Sequence, residues 1–207
     1  MSTSLMIKRV FDIIASSFIL LIFFPLWLVI AALVKISSPG PVFFIQARPG
    51  YHGEIIHVFK YRSMKINSDI MVKGKEVSSD DNRITAVGRV LRRSKIDEIP
   101  QLLNVLKGEM SIVGPRPERI ASLDDYTESI SVRLNMKPGM TGLAQVSGNI
   151  YLPLESRYKL DVYYVENFRL SLDARILFRT IGVLLLGEER YASKPLSCLP
   201  SDFLHIV

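Results

Sequence analysis

Two neighbouring carboxylates, Asp97 and Glu98, stand between a basic run of Arg89, Arg92, Arg93 and Lys95 and the segment Gly114-Pro115-Arg116-Pro117. A carboxylate can attack phosphorus as a covalent nucleophile, provided cations or a metal neutralise the charge of the reacting phosphate. Arginines suit that task, because a guanidinium can grip phosphate oxygens through two parallel hydrogen bonds. A divalent ion such as Mg²⁺ commonly binds through one or two carboxylates plus substrate phosphates, so the acid pair could also hold a metal. The same residues allow a plainer reading, in which Asp97 caps a helix, Glu98 favours the helix dipole and the arginines form a solvated face.

Other chemistries find less support. His52, Glu54 and His57 miss the zincin spacing, which sets two histidines four apart on a helix, and on a hairpin the two would point to opposite faces. There is no Walker A loop, no dinucleotide-binding glycine fingerprint and no Ser/His/Asp arrangement. The net charge of +6 favours anionic partners without choosing among lipid, metabolite and nucleic acid. Phe43, Phe44, Phe59 and Tyr61 come with no nucleic-acid recognition motif, so no nucleic-acid partner is expected. Cys198 is the single cysteine, which rules out an internal disulfide and fits a reducing compartment.

Several elements must position these groups. From Ile13 to Val34 runs an uncharged apolar stretch, interrupted by Ser16, Ser17 and Pro25, that is long enough for a bilayer core of about 30 Å. Pro25 removes a backbone donor mid-run, so a kink or break is expected there, and each half alone is too short to cross. Lys8 and Arg9 before the run and Lys35 after it give no lopsided charge bias. These features leave open a re-entrant hairpin with both ends cytoplasmic and a single kinked span. After the breakers Ser37-Ser38-Pro39-Gly40-Pro41, the segments Val42 to Ala47 and Ile55 to Tyr61 read as a β-hairpin. Asn67 to Arg83 reads as a loop, and Ile84 to Arg93 as a short basic helix. A second helix is expected to start at Asp97 as N-cap, with Pro100 in its first turn, and to stop at Gly108. Met110 to Val113 reads as a strand, Lys137 to Gln145 as a loop, and Glu155 to Phe168 and Leu172 to Leu186 as helices. The last helix could lie on a bilayer surface or pack on the core. With 207 residues, one well-packed domain accounts for the part beyond the apolar run.

The string from Ser94 to Pro117, SKIDEIPQLLNVLKGEMSIVGPRP, resembles the bacterial sugar transferases of the monotopic phosphoglycosyl transferase family. The likeness extends to Lys8-Arg9 and Asp12, to Ser38-Pro39-Gly40-Pro41, and to Lys60-Tyr61-Arg62-Ser63-Met64. It continues through Gly88-Arg89, Leu91-Arg92 and Pro138-Gly139-Met140-Thr141-Gly142-Leu143-Ala144-Gln145. In length it is similar to the minimal catalytic members.

The resemblance implies a two-step exchange. Asp97 would attack the β-phosphate of a UDP-sugar, release UMP and hold the phospho-sugar covalently. Undecaprenyl phosphate would then accept it, giving an undecaprenyl diphosphate sugar that starts glycan assembly. Glu98 would be the second acid of the dyad, and Mg²⁺ would sit at Asp97 and Glu98. The resemblance further implies a substrate-binding set of Lys60, Arg62, Arg89, Arg92, Pro115, Arg116, Pro117 and Gln145, with the Pro115-Arg116-Pro117 loop near the uridine. It also implies a helix pair broken at Pro25 in the cytoplasmic leaflet of the bacterial inner membrane. The expected architecture is a mixed, helix-rich α/β fold: a re-entrant membrane helix over residues 1–36 and a cytoplasmic catalytic domain, with a β-hairpin and interfacial helices, over 37–207. A membrane-tethered basic binding module without catalysis is the competing expectation. Tyr151 onward is the least diagnostic stretch and a plausible place for sugar selection; the residues name neither the sugar nor the pathway.

Overall fold

The computed structural model describes residues 2–66 and 81–192. The expected loop over Asn67–Arg83 falls largely outside them, as does Cys198. Helix α1 (Thr3–Ile22) begins at Ser2, whose hydroxyl accepts from the Leu5 amide, and α2 (Phe24–Ser37) follows after a single intervening residue, Phe23. The two helices meet at 68°. Pro25 sits in the first turn of α2, where a missing N–H costs no helical bond, so the break falls just before the proline. No single helix among the described residues is long and apolar enough to cross a membrane, whereas this bent pair together has the length and composition.

The first half of α1 is docked on the rest of the protein. Lys8 pairs with Asp173 at 2.6 Å, and the Asp173 carboxylate also accepts from the Tyr164 hydroxyl. Arg9 donates to the Val105 and Leu106 carbonyls at the end of a later helix. Asp12 accepts from the Ser111 hydroxyl and the Ile112 amide. Lys8, Asp12 and Asp173 are buried and Arg9 half-buried, and each is hydrogen-bonded, as a charge taken out of water must be. Beyond Asp12, α1 and much of α2 expose apolar side chains such as Ile14, Phe18, Leu21 and Leu28.

Strands β1 (Phe43–Pro49) and β2 (Ile55–Tyr61) form the antiparallel hairpin, in register from Phe43 opposite Tyr61 to Pro49 opposite Ile55. Helix α3 (Ala86–Arg93), capped by the Thr85 hydroxyl, lies against the segment after β2. A Cβ on Gly88 would come within 2.0 Å of the Ser63 carbonyl oxygen, so only glycine lets α3 approach that backbone. Helix α4 runs from Gln101 to Lys107 and ends at Gly108, whose φ of +87° gives the expected glycine stop. Its start corrects the expectation that Asp97 is the N-cap. The acid pair lies in a separate 3₁₀ turn, Ile96–Glu98, entered through Lys95 in the left-handed conformation, and α4 begins only after Pro100. The fully buried Asn104 clips α4 to β2, accepting from the Phe59 amide and donating to the His57 carbonyl.

Strand β3 (Ser111–Val113) pairs in parallel with β4 (Gly139–Thr141), and short helices α5 (Glu128–Ser131) and α6 (Leu143–Val146) flank them. The stretch expected as a loop over Lys137–Gln145 therefore holds a strand and a helical turn. Its Gly139 packs so closely on Gly114 that an added Cβ would lie 2.1 Å from the Gly114 nitrogen. Helices α7 (Leu154–Glu166) and α8 (Leu170–Leu186) close the main core around Val113, Leu143, Leu160, Tyr164 and Ile176, and α9 (Glu189–Ala192) follows. A second apolar cluster joins α2 to the hairpin and α3 through Ile30, Val34, Tyr61 and Leu91. The described residues form a mixed, helix-rich α/β fold with two small sheets.

Candidate active site

Between the hairpin, α3 and the acid turn lies a cavity of about 600 Å³, with Asp97 and Glu98 in its wall. The turn that carries them is short because Lys95, at φ 58°, bends the chain sharply out of α3. Asp97 is 8% exposed and makes no hydrogen bond or ion pair among the described residues. Burial pushes its carboxyl up to about 6, helped by the adjacent Glu98 charge and opposed by Lys60, Arg92 and Lys95. Glu98 behaves in the opposite way. Burial works against its charge, yet Lys60 at 2.6 Å and Arg116 at 3.8 Å hold its carboxyl well below the usual carboxylate range. One acid is thus directly paired with protein cations, while its neighbour has cations near it but none in contact.

The residues expected from sequence fall into three groups. Lys60, Arg92 and Arg116 line the cavity with the acid pair. Arg62 lines it as well, but its guanidinium donates to the Val34, Ser38 and Pro39 carbonyls, closing the end of α2 onto the hairpin. Pro115 and Pro117 hold the adjoining loop, while Arg89 is exposed on α3 and Gln145 is buried under β4, donating to the Met140 carbonyl. Neither of the last two lines the cavity.

Support for the Pro-Arg-Pro loop comes from behind. The Arg116 carbonyl accepts from Arg133 at 2.7 Å, and Arg133 is in turn paired with the buried Asp161 and stacked over the Tyr158 ring. Arg48 donates to the Pro117 carbonyl at 3.3 Å. Its burial first, and then the nearby Arg116 charge, lowers it to about 10. Arg48, Arg119, Arg157 and Asn149 also face the cavity, and sequence reasoning did not single them out. They come from four separate segments with no shared spacing, so only the fold brings them together.

Among the described residues no group of three His, Cys, Asp or Glu side chains could enclose a metal by itself. A magnesium ion takes one or two carboxylates and completes its shell with phosphate and water, so Asp97 and Glu98 are the residues that would hold one. Asp97 makes no ion pair that such an ion would have to displace, whereas Glu98 is already engaged by Lys60 and Arg116.

The sequence pattern of the bacterial sugar transferases matches residues 3–187. The chain belongs to the bacterial sugar transferase family. Among its relatives, the uncharacterized sugar transferase EpsL of Bacillus subtilis (strain 168) is 42% identical over 184 residues, covering 89% of this chain and 90% of EpsL. The UDP-N-acetylgalactosamine-undecaprenyl-phosphate N-acetylgalactosaminephosphotransferase of Aeromonas hydrophila is 43% identical over 188 residues, covering 87% of this chain and 44% of the relative. The UDP-glucose:undecaprenyl-phosphate glucose-1-phosphate transferase of Klebsiella pneumoniae is 40% identical over 198 residues, covering 91% and 42% respectively. This sugar transferase is thus an enzyme of the phosphoglycosyl-transferring kind, and the reading as a binding module without catalysis is set aside. The matched span of the family pattern takes in both acids, the docked half of α1 and every cavity-lining residue but Glu188.

Proposed function

We propose that the protein transfers a phospho-sugar from a UDP-sugar to undecaprenyl phosphate by way of a covalent intermediate on Asp97. The observation that carries this reading is the Asp97 carboxylate itself, buried, unpaired and set in a cavity wall rich in cations. In the first step an Asp97 oxygen forms a bond to the β-phosphorus, the bond to the bridging oxygen breaks, and UMP leaves with that electron pair. In the second, a phosphate oxygen of the lipid attacks the same phosphorus and the aspartyl oxygen departs, restoring the carboxylate. Lys60, Arg92 and Arg116 bind the phosphate oxygens, and the Pro115–Pro117 loop with Arg48 sits against the nucleotide. Glu98, held ionised by Lys60 and Arg116, fixes those cations in place. A magnesium ion at Asp97 and Glu98 would supply further neutralisation of the phosphate charge. The different sugars named for the Aeromonas and Klebsiella relatives leave the sugar of this chain unassigned.

The bent pair α1–α2 is read as entering and leaving the cytoplasmic leaflet on one side. Lys8, Arg9 and Asp12 are tied to the catalytic core and Val34 packs beside Tyr61, so both arms return to the same body. The part of α1 beyond Asp12 is about 15 Å long at about 1.5 Å per residue, roughly half a bilayer core.

Incubation with a UDP-sugar and no lipid acceptor tests the nucleophile. Intact mass is expected to show one phospho-sugar on the wild-type chain and none on Asp97→Asn, with UMP release lost in the variant. UMP release by the variant at the wild-type rate would remove the assignment.

A further inference from the structure

The cavity wall changes character along β1. Phe44, Gln46 and Arg48 alternate onto one face of the strand, and all three line the cavity. Lys60 stands opposite Phe44 in the hairpin register and its ammonium meets Glu98 at 2.6 Å, so this face is turned toward the acid turn. From Arg48 to Phe44 the strand covers about 13 Å at about 3.3 Å per residue. The Arg48 end is charged, with Arg116 and Arg119 close by and the Pro117 carbonyl in contact. The other end is apolar. Phe44 is joined there by Pro41 and by Phe43, which is 42% exposed and stacks on Tyr61 with ring centroids 5.4 Å apart.

This apolar end abuts α2. The Tyr61 hydroxyl donates to the Trp27 carbonyl at 3.2 Å, the Tyr61 side chain packs with Ile30 and Val34, and Pro41 lies just past the last turn of the helix. The two substrates differ in what they could place against such a wall. A nucleotide-sugar is polar along its length, and its phosphates suit the arginine end. The acceptor joins its phosphate to an unsaturated hydrocarbon chain, which must stay with the bilayer while the phosphate reaches Asp97. Aromatic rings beside the helix that returns from the leaflet suit that chain, because they take apolar surface out of water where the lipid has to leave it. We infer that Pro41, Phe43 and Phe44 form a subsite for the first isoprene units of the lipid acceptor, which enters beside α2 and meets Asp97 from the end of the cavity opposite the nucleotide; this rests on the transferase reading above.

Covalent capture allows the two half-reactions to be measured apart. Loading of the chain with phospho-sugar is followed by intact mass without acceptor, using whichever of UDP-glucose, UDP-galactose and their N-acetylamino counterparts loads the wild-type chain. Discharge of the loaded chain is then followed against undecaprenyl phosphate. Phe44→Thr removes the ring but keeps a strand-forming residue, and Phe44→Leu keeps an apolar side chain. The acceptor concentration for half-maximal discharge is expected to rise about tenfold in Phe44→Thr and less in Phe44→Leu, while loading and its inhibition by UMP hold. On the wild-type chain, geranyl phosphate should discharge the adduct faster than butyl phosphate, which shares the phosphate and lacks the isoprene units. An unchanged acceptor dependence in Phe44→Thr, or equal discharge by the two short phosphates, would overturn the subsite alone. Slower loading with weaker UMP inhibition in both variants would also overturn it, since the rings would then serve the donor. No loading of the wild-type chain by any of the four nucleotide-sugars would overturn the transferase reading and the subsite with it.

Discussion

Asp97 and Glu98 are chain neighbours pushed in opposite directions, and the difference lies in who faces them. Lys60 and Arg116 spend their charge on Glu98, leaving Asp97 buried beside a permanent anion and raised to about 6. Two acids driven apart in this way are suited to different tasks, one a fixed charge and the other a reactive group. As a nucleophile Asp97 must be ionised, so UMP release should climb with pH up to about 6 and level off above it. A flat profile from pH 5 to 7 would mean that the magnesium and phosphate charges hold Asp97 ionised in the working enzyme, and the metal-free melting comparison below then carries the test of the shift. The same shift bears on stability. A carboxyl whose folded value is raised stabilises the fold below its ordinary value of 3.8 and loses that contribution as pH rises through about 6. Asp97→Asn, which never ionises, should therefore melt above the wild-type chain at pH 7.5, by up to about 3 kcal/mol, and lose this advantage near pH 4. Thermal unfolding in a chelator at the two pH values checks the sign.

The acid turn is placed by elements whose contacts tolerate little change. Gly88 brings α3 against the Ser63 carbonyl, and α3 carries Arg92 to the cavity. Gly88→Ala would force the helix away from that backbone, so a destabilisation of about 1–3 kcal/mol is expected, with UMP release reduced more than the change in folded fraction explains. Equal losses in the two would mean that α3 does not set the position of Arg92. Local pattern made much of this scaffold legible: the apolar spacing through Val87, Val90 and Leu91 marked α3, Gly108 marked the end of α4, and aromatic and β-branched runs marked the hairpin. The start of α4 misled because an aspartate three residues before a proline looks like a cap, whereas Lys95 in the left-handed region spends those residues on a separate turn. Asn149 and Arg48 had no readable signal, since what makes them notable is a shared cavity wall, a product of tertiary packing. Lys8 and Arg9 read as flanking charges of an apolar run, yet their partners Asp173 and the α4 carbonyls lie about a hundred residues away or more in sequence.

Those partners join the base of the apolar helix pair to the body that holds the cavity. Lys8 reaches α8, Arg9 the end of α4 and Asp12 the start of β3, so the base of α1 is part of the catalytic body rather than a tether to it. Arg62 does the same for the returning arm through the carbonyls at the end of α2. With both arms clamped, the leaflet entry proposed for the bent tip would fix the height of the cavity above the lipid phosphates, as the proposed transfer from a water-soluble nucleotide-sugar to a lipid phosphate requires. This arrangement predicts a one-sided topology. In a Cys198→Ser background, single cysteines replacing Thr3 and Ile36 should both react with an impermeant thiol reagent in inside-out membrane vesicles, and neither in right-side-out vesicles. Labelling of the Thr3 position only from the outer face would mean that α1 leaves the body and spans the bilayer. The Lys8–Asp173 pair could not form in that case, because one partner would lie across the membrane from the other.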